Sequence, residues 1–341
     1  MKSVRLRGFQ LAADVVMAAL LAVSPALAHP GHGDDSEEDL GNPVTSVVPL
    51  FFTAGTEGKA FLAALKNEVS ITVDGDSRLI VANGIPDHPT GQFPNRGNPN
   101  TISVQSYRFQ VPLNPAVAAA PTPLRMQAFG IAVNGVVFDP NAAEWWNNDR
   151  SSGWQYEPLR SERKLGIDQN NAHVQPNGAY HYHAIPAALL NRLSDGKTAL
   201  VLMGWAADGF PIYGPWDHSD PKNAASALKK MKSSFRVKMG TRPNGPGGSY
   251  DGSYLQDYEY VAGSGDLDDC NGRFGVTPEF PAGTYHYVLT EDWPFIPRAY
   301  RGTPDDSFRR KGPPPGMGRR PGGPPFGPPP GGGQFPPPGP F

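Results

Sequence analysis

The sequence predicts a mainly β, sandwich-like domain with large loops and an internal duplication. Three observations point there. Short apolar runs are broken repeatedly by Gly, Pro, Asn and Asp, helical periodicity is rare, and three motifs recur in the same order in two stretches of the chain. Apolar runs bounded by such residues read as strands joined by turns.

In chain order, strands are expected at 44–52, 69–73, 79–82, 102–111, 125–133, 199–205, 235–239 and 258–261. Helices are expected only at 57–65, 186–193 and 223–231. Ahead of them, Lys2, Arg5 and Arg7 precede an apolar run at 15–23 and the small-x-small triplet Ala26-Leu27-Ala28. That pattern is expected to be a signal peptide over 1–28, directing a periplasmic or secreted protein. Residues 29–43 carry Asp34, Asp35, Glu37, Glu38 and Asp39 and read as an acidic, disordered leader. The folded domain is expected over 44–304. Residues 305–341 are dominated by proline and glycine and read as extended coil.

Composition narrows the function. Thirty basic against thirty-two acidic side chains leave a net charge of −2, which does not suit a nucleic-acid partner. No segment approaches the ~20 apolar residues of a membrane span, so the chain is not expected to be membrane-embedded. Cys270 is the lone cysteine, so no internal disulfide framework is available. The aromatic loops and the basic tail leave a small molecule or a cell-envelope component as the class of partner.

The recurring motifs carry the chemistry. Tyr180-His181-Tyr182-His183 follows Pro176-Asn177-Gly178-Ala179, and Tyr285-His286-Tyr287 follows Pro281-Ala282-Gly283-Thr284. Upstream, Asp168-x-x-Asn171-x-His173 matches Asp268-x-x-Asn271-x-Arg273. Further upstream, Asn134-Gly135 and Asp208-Gly209 each lie between apolar runs, a hairpin pattern because both residues tolerate positive φ. The repeat units are therefore expected at about 130–183 and 204–288, and His181 and His286 would converge if the units pack about a pseudo-twofold axis.

In a strand, residues two apart share a face. Tyr180 and Tyr182 therefore face one way, and His181 and His183 the other. Two neutral imidazoles on one face suit a transition metal such as zinc, copper or iron better than calcium or magnesium. The expected ligand set is His181, His183, His286 and His173, with Asp208 as a ligand or as a carboxylate orienting one. The competing reading is a polar layer in which these rings hydrogen-bond to Asp168, Asp268 or backbone. Asp208 likewise reads as the aspartate of a hairpin turn, and Cys270 as a buried, inert thiol. Asp266-Leu267-Asp268-Asp269-Cys270 fails calcium-loop spacing. The end His29-Pro30-Gly31-His32 reads as incidental, with a weak metal-capturing arm as the alternative. No phosphate loop, nucleophile elbow or HExxH is present, and no catalytic residue can be named.

Asn171-x-His173-x-x-Pro176-Asn177-Gly178-x-Tyr180-His181-Tyr182-His183 resembles the YHYH-domain proteins. So do Asp208-Gly-Phe-Pro-Ile-Tyr-Gly-Pro, Leu267-Asp-Asp-Cys-Asn-Gly, and the run from Thr277 to Tyr287. The resemblance spans roughly 130–302 and implies an exported domain without an assigned reaction. Three functions remain open: a metal-binding exported domain, a metal-dependent hydrolase or oxidoreductase using the same site, and a cell-surface interaction module with structural histidines. Trp205, Phe210 and Tyr213 around an open coordination position would favour the enzyme.

Overall fold

Turn chemistry sets the framework. The computed structural model describes residues 65–162 and 165–309. The signal peptide at 1–28, the leader at 29–43, the strand expected at 44–52, most of the helix at 57–65 and most of the tail lie outside the described residues. Within them the protein is mainly β, with one α-helix.

The strands begin with an antiparallel sheet of β1 (Val69–Asp74), β2 (Ser77–Ala82) and β3 (Tyr107–Pro112). Ile80, Ala82, Phe109 and Val111 bury its inner face in the main core. The expected strand at 102–111 shortens to β3 because its first part bonds elsewhere. The Ser103 amide donates to Gly178, and that of Gln105 to Asn83. β4 (Thr122–Pro123) pairs with β17 (Ala299–Tyr300) at the far end of the chain.

The main sheet has eight strands and curls into a half-barrel. Its first four are β5 (Gly130–Ala132), β6 (Val137–Phe138), β7 (Ala172–Val174) and β8 (Tyr180–Tyr182). The other four are β9 (Leu202–Ala206), β10 (Pro211–Tyr213), β15 (Gly272–Gly275) and β16 (Thr284–Val288). Across the sheet the order is β15-β16-β10-β9-β5-β6-β8-β7. Each arm starts as an antiparallel hairpin turned by Asn134-Gly135 or Asp208-Gly209, with φ of 80° at Gly135 and 90° at Gly209. Each then gains a strand parallel to the hairpin's second strand, β8 on β6 and β16 on β10. An antiparallel outer strand closes each arm, β7 or β15.

The arms meet along β5 and β9, where Ile131 pairs with Trp205, Gly130 with Ala206 and Ala132 with Gly204. A Cβ on Gly130 would run into the Trp205 carbonyl, and one on Gly204 into the Ile131 carbonyl. Both obstacles are backbone, so the strands would have to part. Gly204→Ala is expected to destabilise the protein by about 1–3 kcal/mol, measured by urea unfolding. A loss below about 0.5 kcal/mol, the range of an ordinary surface change, would show that the seam tolerates a methyl group.

The helix expected at 186–193 forms as α1 (Ala187–Ser194). The one expected at 223–231 does not. Asn223 accepts the Ala225 amide through its side chain, closing a turn. The chain then enters β12 (Leu228–Lys230), paired with β11 (Trp216–His218). Lys229 and Lys230 reach Asp266 and Glu291 at 2.6 and 2.7 Å, and Lys230 lies over the Trp216 ring. Cross-strand partners outweigh the helical propensity of the Ala-Lys run. β13 (Phe235–Val237) and β14 (Tyr258–Tyr260) form a further ribbon.

Candidate metal centre

The site begins with a turn. The Asp168 carboxylate accepts the amides of Asn170 and Ala172 through one oxygen, and the Gly91 amide and Tyr180 hydroxyl through the other. Asn171 adopts φ of 54° and donates its side-chain amide to the Ile185 carbonyl. Asparagine is among the few non-glycine residues that tolerate this left-handed conformation. The turn launches β7 with His173 directly opposite His181 on β8.

Alternation then does the sorting. Tyr180 and Tyr182 point into the core, where Asn134 and His88 bond the Tyr182 hydroxyl. His173, His181 and His183 share the opposite face. Their rings form a triangle with all three centroid separations at 4.7 Å. One ligand nitrogen from each lies within 4.8 Å of the others. Nitrogens on one tetrahedral ion with bonds of about 2.0–2.1 Å sit about 3.3–3.4 Å apart, so shifts on the order of an ångström bring the set onto an ion.

Hydrogen bonds orient two of the rings. His173 Nδ1 faces the Leu165 carbonyl at 2.8 Å, and His181 Nδ1 faces that of Ala179 at 3.2 Å. A carbonyl only accepts, so each Nδ1 carries the proton and Nε2 carries the lone pair. Metal-ligating histidines are commonly held in this way. His183 differs: it is 1% exposed, and neither ring nitrogen has a hydrogen-bond partner.

Burial keeps two of the rings neutral. Burial lowers the basicity of His173, opposed by its bond to Leu165 and by the charges of Glu144 and Asp139. Burial pushes His183 well below the usual imidazole range, and the neighbouring His181 and His173 add to the effect. The nearby Pro140 carbonyl opposes weakly, without closing a hydrogen bond of normal geometry. Three imidazoles facing one another in this way could hold a transition ion through their neutral forms.

The other expected residues lie elsewhere. His286 is on β16, five strand spacings from β8 or ~24 Å along the sheet. It does not converge with His181. Its Nε2 contacts Asp217 at 2.9 Å, and Arg273 stands 3.6 Å from the same carboxylate oxygen. Burial alone would raise the Asp217 carboxyl, but these two partners hold it below its ordinary range. Arg273 and Val288 thus occupy the rungs where the first arm has His173 and His183. Asp208 accepts the Tyr287 hydroxyl and the Gly302 amide, and burial pushes its carboxyl up to about 6. It is a core hairpin carboxylate and not part of the histidine group.

Asp268, Asp269 and Cys270 form a second close group. There Asp268 is already used by the Cys270 and Gly272 amides and the Tyr285 hydroxyl. Burial pushes the Cys270 thiol up to about 12, with the Asp268 and Asp269 charges adding to it, so it stays protonated. A cavity of about 580 Å³ is lined by Leu190, Trp216 and Phe295, with Arg160 and Lys197 at its polar side. Trp205, Phe210 and Tyr213 are instead buried in the packing.

Sequence reasoning missed Asp139, which accepts the Gln175 side-chain amide at 2.9 Å, and His88, which bonds the Tyr182 hydroxyl on the face away from the histidines. Nothing local marks Asp139: its neighbour β8 comes from a distant part of the chain.

A family model described as YHYH protein matches residues 108–302, more than half of the chain. The chain belongs to the YHYH protein family. The match contains both arms of the main sheet and all three clustered histidines. No curated protein and no solved structure matches the chain. Among the described residues, no helix is long and apolar enough to cross a membrane.

Proposed function

We propose that this YHYH protein is an exported domain that holds one transition-metal ion, zinc, copper or iron, on His173, His181 and His183. One observation carries the reading: His183 is buried within the trio, and neither ring nitrogen has a hydrogen-bond partner of normal geometry. A purely structural polar layer would satisfy that ring, because an unpaired buried polar group costs about 1–3 kcal/mol. An ion on the trio satisfies the nitrogen it binds and so removes half of the deficit. The Nδ1 contacts of His173 and His181 support the same reading, since they aim lone pairs and not protons at the centre.

Two further parts of the reading accompany it. Export rests on the charged start, the apolar run and Ala26-Leu27-Ala28. Descent from one duplicated unit is supported by the matching strand order and register of the two arms. In that view only the first arm kept a ligand set, and the second filled the place with Arg273 and Asp217. Superposition of 130–183 on 204–288 with unrelated topologies would remove the duplication.

The metal is tested on untagged protein purified from the envelope fraction and analysed for elemental content. One equivalent of metal per chain is expected, lost on replacing both His181 and His183 by alanine while the far-ultraviolet dichroism is kept. A folded double variant that retains its metal would overturn the reading.

A further inference from the structure

We propose that the cavity beside α1 is a binding site for a small organic acid with an apolar body. It is separate from the histidine trio, none of which lines it. Its volume of about 580 Å³ is that of an ordinary small-molecule site. α1 supplies Ala187 and Leu190 to the wall, the turn after β16 supplies Glu291 and Phe295, and β11 supplies Trp216. Leu190, Trp216 and Phe295 offer aliphatic and aromatic surface for the body of the ligand.

Arg160 selects the charge. Its guanidinium lies 5.5 Å over the Phe295 ring in the cavity wall, and its backbone amide donates to one Glu157 oxygen at 2.8 Å. The other Glu157 oxygen faces Arg298 at 3.4 Å. Among the described residues the Arg160 guanidinium makes no ion pair. The remaining charges of the wall are matched, Lys197 with Asp195 at 2.9 Å and Glu291 with Lys230 at 2.7 Å. The last carbonyls of α1 are covered too, since the Gly196 amide donates to Asn191 and the Lys197 amide to Ser194. An unmatched guanidinium beside apolar surface suits a carboxylate, which it grips with two parallel N–H donors.

The same wall holds a strained residue. Phe295 is buried with φ of 59°. A bulky side chain at positive φ is an outlier, and such strain concentrates at functional sites. Two backbone bonds keep it there. The Phe295 amide donates to Asp292, and the Phe295 carbonyl accepts from Thr290, both at 3.0 Å. The ring is thereby fixed among Ala184, Trp293 and Leu159, with Arg160 resting on it.

Calorimetric titration of the full-length protein with naphthalene-2-carboxylate and with its uncharged amide provides the test. The carboxylate is expected to bind at one equivalent per chain with Kd below about 1 mM. The amide should bind about 10-fold more weakly or worse, the usual worth of a hydrogen bond to a charged group. Arg160→Gln should cost the carboxylate about 10-fold and leave any affinity for the amide unchanged. Ala187 is exposed at the start of α1, so Ala187→Trp should fill the cavity mouth and abolish both, with far-ultraviolet dichroism kept. Equal affinity for the two compounds, carboxylate binding weaker than about 1 mM, or wild-type affinity for it in either folded variant would overturn the proposal. Titrations with and without chelator should agree, so failure of the metal reading leaves this result standing. Carboxylate binding that needs added zinc would place the ligand on the ion and overturn the cavity assignment.

Discussion

Chelator-treated protein carrying His183→Leu is expected to be more stable than chelator-treated wild type, by about 1–3 kcal/mol. Leucine has nearly the volume of histidine and adds no polar atom, so it removes two buried nitrogens that have no hydrogen-bond partner. The gain is the usual penalty for such unpaired groups. Metal should reverse the order. At a free concentration 1,000-fold above Kd, binding stabilises wild type by about 4.1 kcal/mol, whereas the variant has lost a ligand and should gain nothing comparable. Urea unfolding with and without added zinc reads both effects. A variant less stable than wild type in chelator would mean that the ring is a structural element with partners, and the central argument for metal would fall.

The second large effect is acid sensitivity of the metal-free protein. Burial lowers the basicity of His173 and His183, so the fold keeps both neutral where the unfolded chain protonates them. The unfolded state then binds more protons, and stability falls with falling pH. The contribution is complete above the unfolded histidine pKa of about 6.5 and is lost progressively below it. With two protons at stake the slope approaches about 2.7 kcal/mol per pH unit. Asp208 acts in the opposite sense. Its carboxyl is pushed up to about 6, so the fold retains a proton that the unfolded chain has released, which flattens the profile between about 4 and 6. Comparing wild type with His183→Leu cancels Asp208. The variant should lose one proton's share, about 1.4 kcal/mol per pH unit below pH ~6. Superimposable pH profiles of the two proteins between pH 5 and 7.5 would show that His183 does not titrate in this way.

Zinc would also shift this acid limit. Bound metal requires neutral imidazoles, so the loaded protein gains its extra stability only where the rings stay deprotonated. The low basicity imposed by burial extends that range downward from the ordinary histidine value.

The mainly β class, the hairpins at Asn134-Gly135 and Asp208-Gly209, and the helix at 187–194 were legible because each depends on neighbours a few residues apart. The sorting of Tyr180 and Tyr182 from His181 and His183 follows from the two-residue period of a strand. His173 joins them through one tight hairpin, whose Asp168 and Asn171 turn chemistry is also local. The false helix at 223–231 shows the limit of local reasoning: its lysines found carboxylates across strands and loops.

By itself, then, the sequence determined the β class, the main turns and the shared face of His181 and His183, because backbone sterics and alternation act over a few residues. Tertiary structure alone decided that the strand leading to Asp139 runs beside β8, that Gln175 donates to Asp139, and that His286 is turned to Asp217 instead. Those placements depend on which distant strand pairs beside β8 or β16, and in which register. Such pairing is settled by burying both faces of the whole sheet at once, and no short window of sequence contains that information.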